Sequence, residues 1–307
     1  MVTTVRAPNP SPMTLDGTNS YLVDCGRGAA LAIDPGPDIE AHVERIVATA
    51  AAQNLRIEAI AVTHGHPDHA PAAALLARRT GAPVLAHPAS RVPHDADLPL
   101  EGAFRVGDRE IAVIDAPGHT FEHVVLYAPD DAALFTGDVI LGEGTVLIAP
   151  PHGSMHAYRH TLQRLLHEFP HARTLYGGHG PPVRDVRAKI EEYIAHRQMR
   201  EREIVDALAD GGTQTIPELV LRIYGDDRPE LWPAMARQVL AHLIELEEEG
   251  RVAADEVARA MTQRESTVLN PQVARAFDDA RAASVAEAEL GATKRIDTVL
   301  SYRLADL

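Results

Sequence analysis

Four side chains able to bind a metal ion crowd into one short run, Thr63-His64-Gly65-His66-Pro67-Asp68-His69. The run follows an apolar, strand-like segment, Ile57-Glu58-Ala59-Ile60-Ala61-Val62. A strand that ends in such a loop can point several imidazoles and one carboxylate into a single pocket. Imidazole with carboxylate suits zinc, and also iron or manganese, whereas the lack of thiolates argues against a closed structural zinc site. The competing reading is a solvated polar loop, which does not account for so dense a cluster.

Three further residues repeat the same grammar of short apolar strand, small residue and ligand. His119 stands in Ala116-Pro117-Gly118-His119-Thr120 after Ile111-Ala112-Val113-Ile114. Asp138 stands in Phe135-Thr136-Gly137-Asp138 after Ala132-Ala133-Leu134, and His179 in Tyr176-Gly177-Gly178-His179-Gly180 after Arg173-Thr174-Leu175. Glycine tolerates positive φ and close backbone approach, so ligands from separate strands can converge at one edge of a sheet. Alone, each of these residues reads as a packing histidine or a Gly-Asp turn. In this order, within one chain, they read as a site.

The ordered set His64-x-His66-x-Asp68-His69, His119, Asp138, His179 resembles the metallo-β-lactamase superfamily over about residues 12–185. Within it, Gly137-Asp138-Val139-Ile140-Leu141-Gly142-Glu143-Gly144-Thr145, and Ala116-Pro117-Gly118-His119-Thr120 with the following His123, are similar to the β-lactamase-like protein 2 group. That group includes a mitochondrial endoribonuclease and, among related sequences, polyketide thioesterases. The chain departs from the pattern near Ser154, where an acidic residue is expected and His152, Ser154 and His156 stand.

The resemblance implies two divalent ions, zinc first and iron or manganese as alternatives. One would lie on His64, His66 and His119, the other on Asp68, His69 and His179, with Asp138 bridging and Asp68 and Asp138 as the catalytic acids. A shared carboxylate and a shared hydroxide would offset the repulsion between the ions. That hydroxide would be the nucleophile, since coordination lowers the pKa of water from 15.7 to about 7. The resemblance also implies a role for Asp34, in Ala32-Ile33-Asp34-Pro35-Gly36: a carboxylate accepting a ligand's other imidazole N–H fixes its tautomer. An Asp-Pro-Gly turn is the alternative, and the two are compatible. Asn19, in Gly17-Thr18-Asn19-Ser20-Tyr21, is a weaker candidate for shaping the pocket. His87, His94, His160, His167, His171, His196 and His242 have no motif context and read as surface or packing residues.

Hydrolysis is the expected reaction. Redox di-iron relatives of this fold tend to carry Glu where His66 stands, together with a flavin domain that this chain lacks. True β-lactamases lack the bridging acid, so antibiotic hydrolysis is disfavoured, and the pattern is closer to glyoxalase II, lactonases, ribonuclease Z and the endoribonucleases. The expected substrate is a phosphodiester, as for an endoribonuclease on single-stranded RNA, or a small-molecule thioester or ester. Lactonase or acyl-thioesterase activity is the alternative. A nucleic-acid-binding regulator with a vestigial hydrolase site is the competing class, against which the complete ligand set argues. Cys25, the lone cysteine, lies outside the cluster, and no Ser-His-Asp triad is evident.

Two domains are expected in 307 residues: a catalytic one over 1–189, with the αβ/βα four-layer sandwich of the superfamily, and a mostly helical one over 190–307. The 45% hydrophobic content supports a sizeable core. No apolar signal segment opens the chain and no run approaches a membrane span. A single Cys is consistent with a reducing cytoplasm, and scarce Lys beside abundant Arg and Ala with a GC-rich bacterial genome.

Within the first domain the pattern predicts helices over 68–79 and 155–168, with Gly81 stopping the first, and a strand at Pro83-Val84-Leu85-Ala86. From Ile190 it turns helical: one long helix to Ala209, a second begun by Thr215-Ile216-Pro217-Glu218, and a third opened by Arg228-Pro229-Glu230. Apolar Leu231, Met235, Val239, Leu243 and Leu246 line the third at helical spacing. With Gly250-Arg251-Val252 following, this resembles the winged-helix domain carried by relatives; a plain three-helix cap is the alternative. Residues 253–293 suggest helices inserted beyond the first wing strand, and Thr298–Leu304 has strand character. Residues 191–251 hold seven Arg and no Lys against fourteen Asp and Glu, a net of −7. Duplex binding is therefore not expected, because it relies on basic groups displacing counterions from phosphates. The domain is expected instead to wall a substrate cleft or to form a homodimer contact.

Overall fold

The structure, a computed structural model, describes residues 1–225, 228–258, 268–269 and 298–305. The chain divides into two compact units, one of residues 1–146 and 160–193 and the other of residues 147–159 and 194–307.

In the first unit, six strands form one sheet in chain order: β1 (Val2–Arg6), β2 (Asn19–Asp24), β3 (Ala29–Ile33), β4 (Arg56–Ala61), β5 (Val84–Ala86) and β6 (Ala96–Asp97). Side chains alternate across it, as the period of two in a strand requires. Tyr21, Val23, Leu31, Ile33, Ala59 and Ala61 turn one way, into a core shared with the second sheet. Leu22, Ala32, Ile60 and Val62 turn the other way, against helices α1 (Glu40–Ala52) and α2 (Ala73–Thr80). A strand buried on both faces has no polar side to show, which is why β3 reads Ala-Ala-Leu-Ala-Ile.

The second sheet has β7 (Gly102–Val106), β8 (Arg109–Asp115), β9 (Val124–Ala128), β10 (Ala133–Gly137) and β11 (Thr174–Gly177), in the spatial order β11-β10-β9-β8-β7. Its inner face adds Ile111, Val113, Leu126 and Phe135 to the shared core. Each such fully buried side chain contributes about 1.5–3 kcal/mol. The later turns of α3 (Met155–Glu168) attach beside this sheet, through Thr161 Oγ1 to the Pro117 carbonyl at 2.7 Å and Arg164 to the Asp115 carbonyl at 3.2 Å. Helices and two sheets thus make the expected α/β sandwich.

Directionality makes the site possible. Strand β3 runs parallel to β4, and β10 parallel to β11, while β8 and β10 both run antiparallel to β9. Within the first sheet the chain therefore leaves β3 and β4 toward one edge, and within the second it leaves β8, β10 and β11 toward one edge; every candidate ligand lies just past such an end, and their side chains converge.

Helix α2 begins at Ala73 rather than at Asp68. Before it, His69 and Ala70 both donate their N–H to the His66 carbonyl in a tight turn, and Pro71 has no N–H with which to extend a helix backwards. Gly81 ends α2 in the left-handed conformation, φ 74°, as expected.

In the second unit, the long helix α4 (Val186–Gly211), across which the two units divide between Tyr193 and Ile194, leads to β12 (Gln214–Thr215). Helix α5 (Ile216–Tyr224) follows, opened by a capping box: Thr215 accepts from the Glu218 N–H while the Glu218 carboxylate accepts from the Thr215 N–H. Pro229–Leu231 form a 3-10 turn that runs into α6 (Trp232–Glu248), in which Val239, Leu243 and Leu246 are buried and Met235 half-buried. They pack with Ile204, Leu208, Leu219 and Tyr302 into a second core. Strands β13 (Val252–Ala258) and β14 (Thr298–Leu304) pair antiparallel, and β12 joins the far side of β14. Three helices with a strand hairpin are the parts of a winged helix.

One expectation needs correction: residues 253–258, given above to a helical insertion, are strand. The register Val252↔Leu304 to Ala258↔Thr298 supplies their backbone groups with partners, a demand that outweighs the helix preference of Ala and Glu. The remainder of the expected insertion, 259–267 and 270–293, lies outside the described residues. Among the described residues, no helix is long and apolar enough to cross a membrane.

Candidate metal centre

The loop after β4 folds so that His64 and His66 approach each other, with His64 Nε2 3.0 Å from His66 Nδ1. From the end of β8, His119 brings its Nε2 to 2.9 Å from the same His66 nitrogen. Three imidazole nitrogens thus share one point, yet His66 Nδ1 can carry a single proton or a single lone pair. A cation at that point satisfies all three at once, which a hydrogen bond cannot do. Asp138 adds Oδ2, 3.7 Å from His119 Nε2. The four side chains form one ligand-competent group.

Asp68, His69 and His179 form a second. Asp68 Oδ2 lies 3.3 Å from His69 Nε2 and 3.2 Å from His179 Nε2. Asp138 faces this group with its other oxygen, Oδ1, at 3.4 Å from His69 Nε2 and 3.5 Å from His179 Nε2. These contacts are poorly aligned for hydrogen bonding: both His69 Nε2 and Asp138 Oδ1 are buried without a hydrogen-bonding partner among the described residues. Such orphaned atoms are costly unless something satisfies them. Two carboxylate oxygens turned toward two ligand groups fit a pair of divalent ions with Asp138 between them.

The electrostatics agree with that fit. Burial, then the neighbouring imidazoles, hold His64 and His66 neutral, His66 down to about 3. Burial alone would raise the carboxyls of Asp68 and Asp138, but His69 and His179 outweigh it and keep both acids ionised. Neutral imidazole and carboxylate are the forms that bind metal. In turn, burial opposes a charge on His69 and His179, yet the carboxylates beside them win and push His179 up to about 9. The pocket between these groups calls for positive charge.

Asp34, at the end of β3, lies behind the ligands. Its Oδ2 is 2.9 Å from His69 Nδ1, and its two oxygens accept from the Thr63 N–H and hydroxyl, each at 2.7 Å. Asp34 itself sits at φ 48°, a region that Asp tolerates better than most residues. The turn and the contact with His69 therefore coexist. Behind the other ligands, Thr18 donates its hydroxyl to Asp68 Oδ2 at 3.1 Å, and Asn19 Nδ2 donates to the Gly177 and Gly180 carbonyls at 3.1 and 2.8 Å. Asn19 thus shapes the loop that carries His179.

The motif reading gave His123 no role, and the structure supplies one. Its Nε2 accepts from the Asp138 N–H at 3.1 Å while its ring stacks on His64, centroids 4.6 Å apart. A histidine four residues past His119, just before the apolar run of β9, was the available signal. Glycine is required at 178: a Cβ there would lie 2.3 Å from Asp138 Oδ1 and 2.6 Å from His69 Cε1. The residues near Ser154 belong to the second unit, within which Ile148 donates its N–H to Gln238 Oε1 at 3.1 Å.

This fold and this site define a metal-dependent hydrolase. The metallo-beta-lactamase superfamily model matches residues 13–179, and the beta-lactamase associated winged helix domain matches 215–259. The chain belongs to the metallo-beta-lactamase superfamily. It is 34% identical over 236 residues to a beta-lactamase-like protein 2 homolog of Caenorhabditis elegans, covering 73% of this chain and 77% of that one. A second such homolog, of Drosophila melanogaster, is 32% identical over 270 residues, 80% and 87% of the two chains. An atrochrysone carboxyl ACP thioesterase of Claviceps purpurea is 29% identical over 241 residues, 74% and 73% of the two. Among solved structures, a metallo-beta-lactamase family protein from Thermus thermophilus shares the fold with a TM-score of 0.68 and 24% identity, over 83% of this chain and 95% of that one.

Proposed function

We propose that the chain is a dinuclear hydrolase of acyl thioesters or esters, with zinc as the first choice of metal. The observation that carries this reading is Asp138, whose Oδ2 faces His119 while its Oδ1 faces His69 and His179. A carboxylate shared in this way is what two like-charged ions at close range need. Two divalent ions bound there supply a hydroxide near neutral pH and positive charge for the oxyanion that develops on the substrate.

The chain's own residues do the rest. Asp34 and Thr63 hold His69 and His64 in place from behind, and His123 and Gly178 fix where Asp138 lies. Asp68 has the more open of the two acid side chains in the site, 25% exposed against 11% for Asp138. It is placed to pass a proton toward solvent or the leaving group. In the overall reaction, water's oxygen bonds to the acyl carbon, the C–S or C–O bond breaks, and the thiol or alcohol leaves with a proton.

An acyl substrate is favoured over RNA on two grounds. A relative at 29% identity is named a thioesterase, and a net charge of −15 repels a polyanion. The test is metal analysis of protein purified without added metal, followed by turnover of octanoyl and acetyl thioesters of N-acetylcysteamine, bis-p-nitrophenyl phosphate and single-stranded RNA. Two ions per chain and thioester turnover well above phosphodiester turnover are expected. Cleavage of RNA with no acyl turnover would overturn the substrate class.

A further inference from the structure

Three large apolar side chains are exposed among the described residues, and one of them, Phe121, belongs to the loop that carries His119. In the run His119-Thr120-Phe121-Glu122-His123, His119, Thr120 and His123 are buried, while Phe121 is 55% exposed. A tight turn sets this pattern, with the Gly118 N–H donating to the Thr120 carbonyl at 3.0 Å. Glu122 reaches across to the other ligand loop, its Oε1 accepting from the Gly65 N–H at 3.3 Å. Gly65 stands between His64 and His66. A Cβ on it would meet Val92 Cγ2 at 3.5 Å as well as Glu122 Oε1 at 3.3 Å. The lip of the candidate metal centre on the His64, His66 and His119 side therefore carries Glu122, Val92 and Ser90, and Phe121, next to Glu122 in the chain, is exposed on the same loop.

A phosphodiester enzyme needs cations where the flanking phosphates lie. An acyl hydrolase needs apolar surface for the carbon chain. From this lip we infer that Phe121 is a specificity residue, receiving the hydrocarbon part of the acyl group while the carbonyl lies at the metal centre. The inference rests on the hydrolase reading above. It explains why a phenylalanine stays in water beside the site: its apolar area is covered when substrate is bound. Glu122 disfavours acyl groups that end in a carboxylate, by like-charge repulsion.

The test compares wild type with Phe121→Ala and Phe121→Leu, each as the full chain. The readouts are kcat/KM for octanoyl and acetyl N-acetylcysteamine thioesters, and octanoate affinity by calorimetry. Wild type should prefer octanoyl. Phe121→Ala should lower the octanoyl-to-acetyl ratio about 10-fold, in the range that a few apolar contacts give, and should weaken octanoate binding, while Phe121→Leu should restore most of both. Phe121 is exposed and outside the core, so neither variant should disturb folding, which a far-UV spectrum checks. If Phe121→Ala proves unstable, the ratio in Phe121→Leu against a more polar Phe121→Gln decides the matter. Wild type that turns over both thioesters without preference, or variants that keep the wild-type ratio, would overturn the assignment and leave the hydrolase reading standing. Wild type loaded with two metals that cleaves neither thioester would instead overturn the acyl substrate class proposed above.

Discussion

At Asp138 the two candidate ligand groups meet, because each oxygen faces a different one and the backbone N–H is held by His123. Asp138→Ala removes the carboxylate that the proposed reading shares between two ions, without opening a core layer. We expect it to lose at least about 10²-fold in turnover, since changes to supporting residues alone cost 10- to 100-fold. Metal analysis with steady-state rates checks this: two ions retained per chain and more than about a tenth of wild-type rate would refute the bridging role. Asp34 acts one step back, through His69 Nδ1 and Thr63. Asp34→Ala should weaken metal binding about 10- to 100-fold, measured by chelator competition. Unchanged affinity and turnover would reduce Asp34 to its turn.

Two helices illustrate how single side chains tie an element to its surroundings. Under α1, His42 is buried with Nε2 2.9 Å from Ser20 Oγ and Nδ1 3.2 Å from Arg45 Nη2. Arg45 can only donate, so Nδ1 is the acceptor and the proton sits on Nε2, which donates to Ser20. The pair is a strut rather than a Ser-His nucleophile. Burial, then Arg45, push the His42 pKa from 6.5 down to about 4. The folded chain therefore binds fewer protons than the unfolded chain between these values. Its contribution to stability is intact above pH 6.5 and is lost as pH falls toward 4. Urea unfolding across that range should show a shallower acid loss for His42→Gln than for wild type; parallel pH profiles would exclude the assignment. For α5, Thr215→Ala deletes the capping hydroxyl and should cost about 1 kcal/mol, read as a lower unfolding midpoint in urea. A midpoint equal to that of wild type would mean that the cap contributes nothing.

For the molecule as a whole, charge bears on partners more directly than fold does. A winged helix suggests DNA, yet residues 191–251 carry a net −7, and α6 ends in the acidic run Glu245-Leu246-Glu247-Glu248-Glu249. Glu245 is buried near Arg159, 3.3 Å away, and the run as a whole would repel a phosphate backbone. We expect no sub-micromolar binding of the full chain to duplex DNA. A titration between about 50 and 200 mM salt checks this, because a phosphate-contacting protein shows steeply salt-dependent affinity. Such a dependence would restore the nucleic-acid reading.

The candidate ligand set was legible in the sequence because four of its members are neighbours in one loop and the others each follow an apolar strand and a glycine. Local pattern reaches that far: it marks strand ends, the Thr215 cap and the Gly81 stop. It does not say which way a carboxylate turns or what stands behind it. The split of Asp138's oxygens, the His123 stack on His64 and the Asn19 grip on Gly177, 158 residues away, depend on two sheets closing on one core. The same holds for the late start of α2 and for the strand at 252–258, where turn geometry and sheet pairing override the preferences of the residues. Sequence determines which groups can bind a metal because that is a property of residue type. Their mutual orientation, and the exposure of Phe121 beside them, are decided by contacts between distant segments and exist only once the chain has folded.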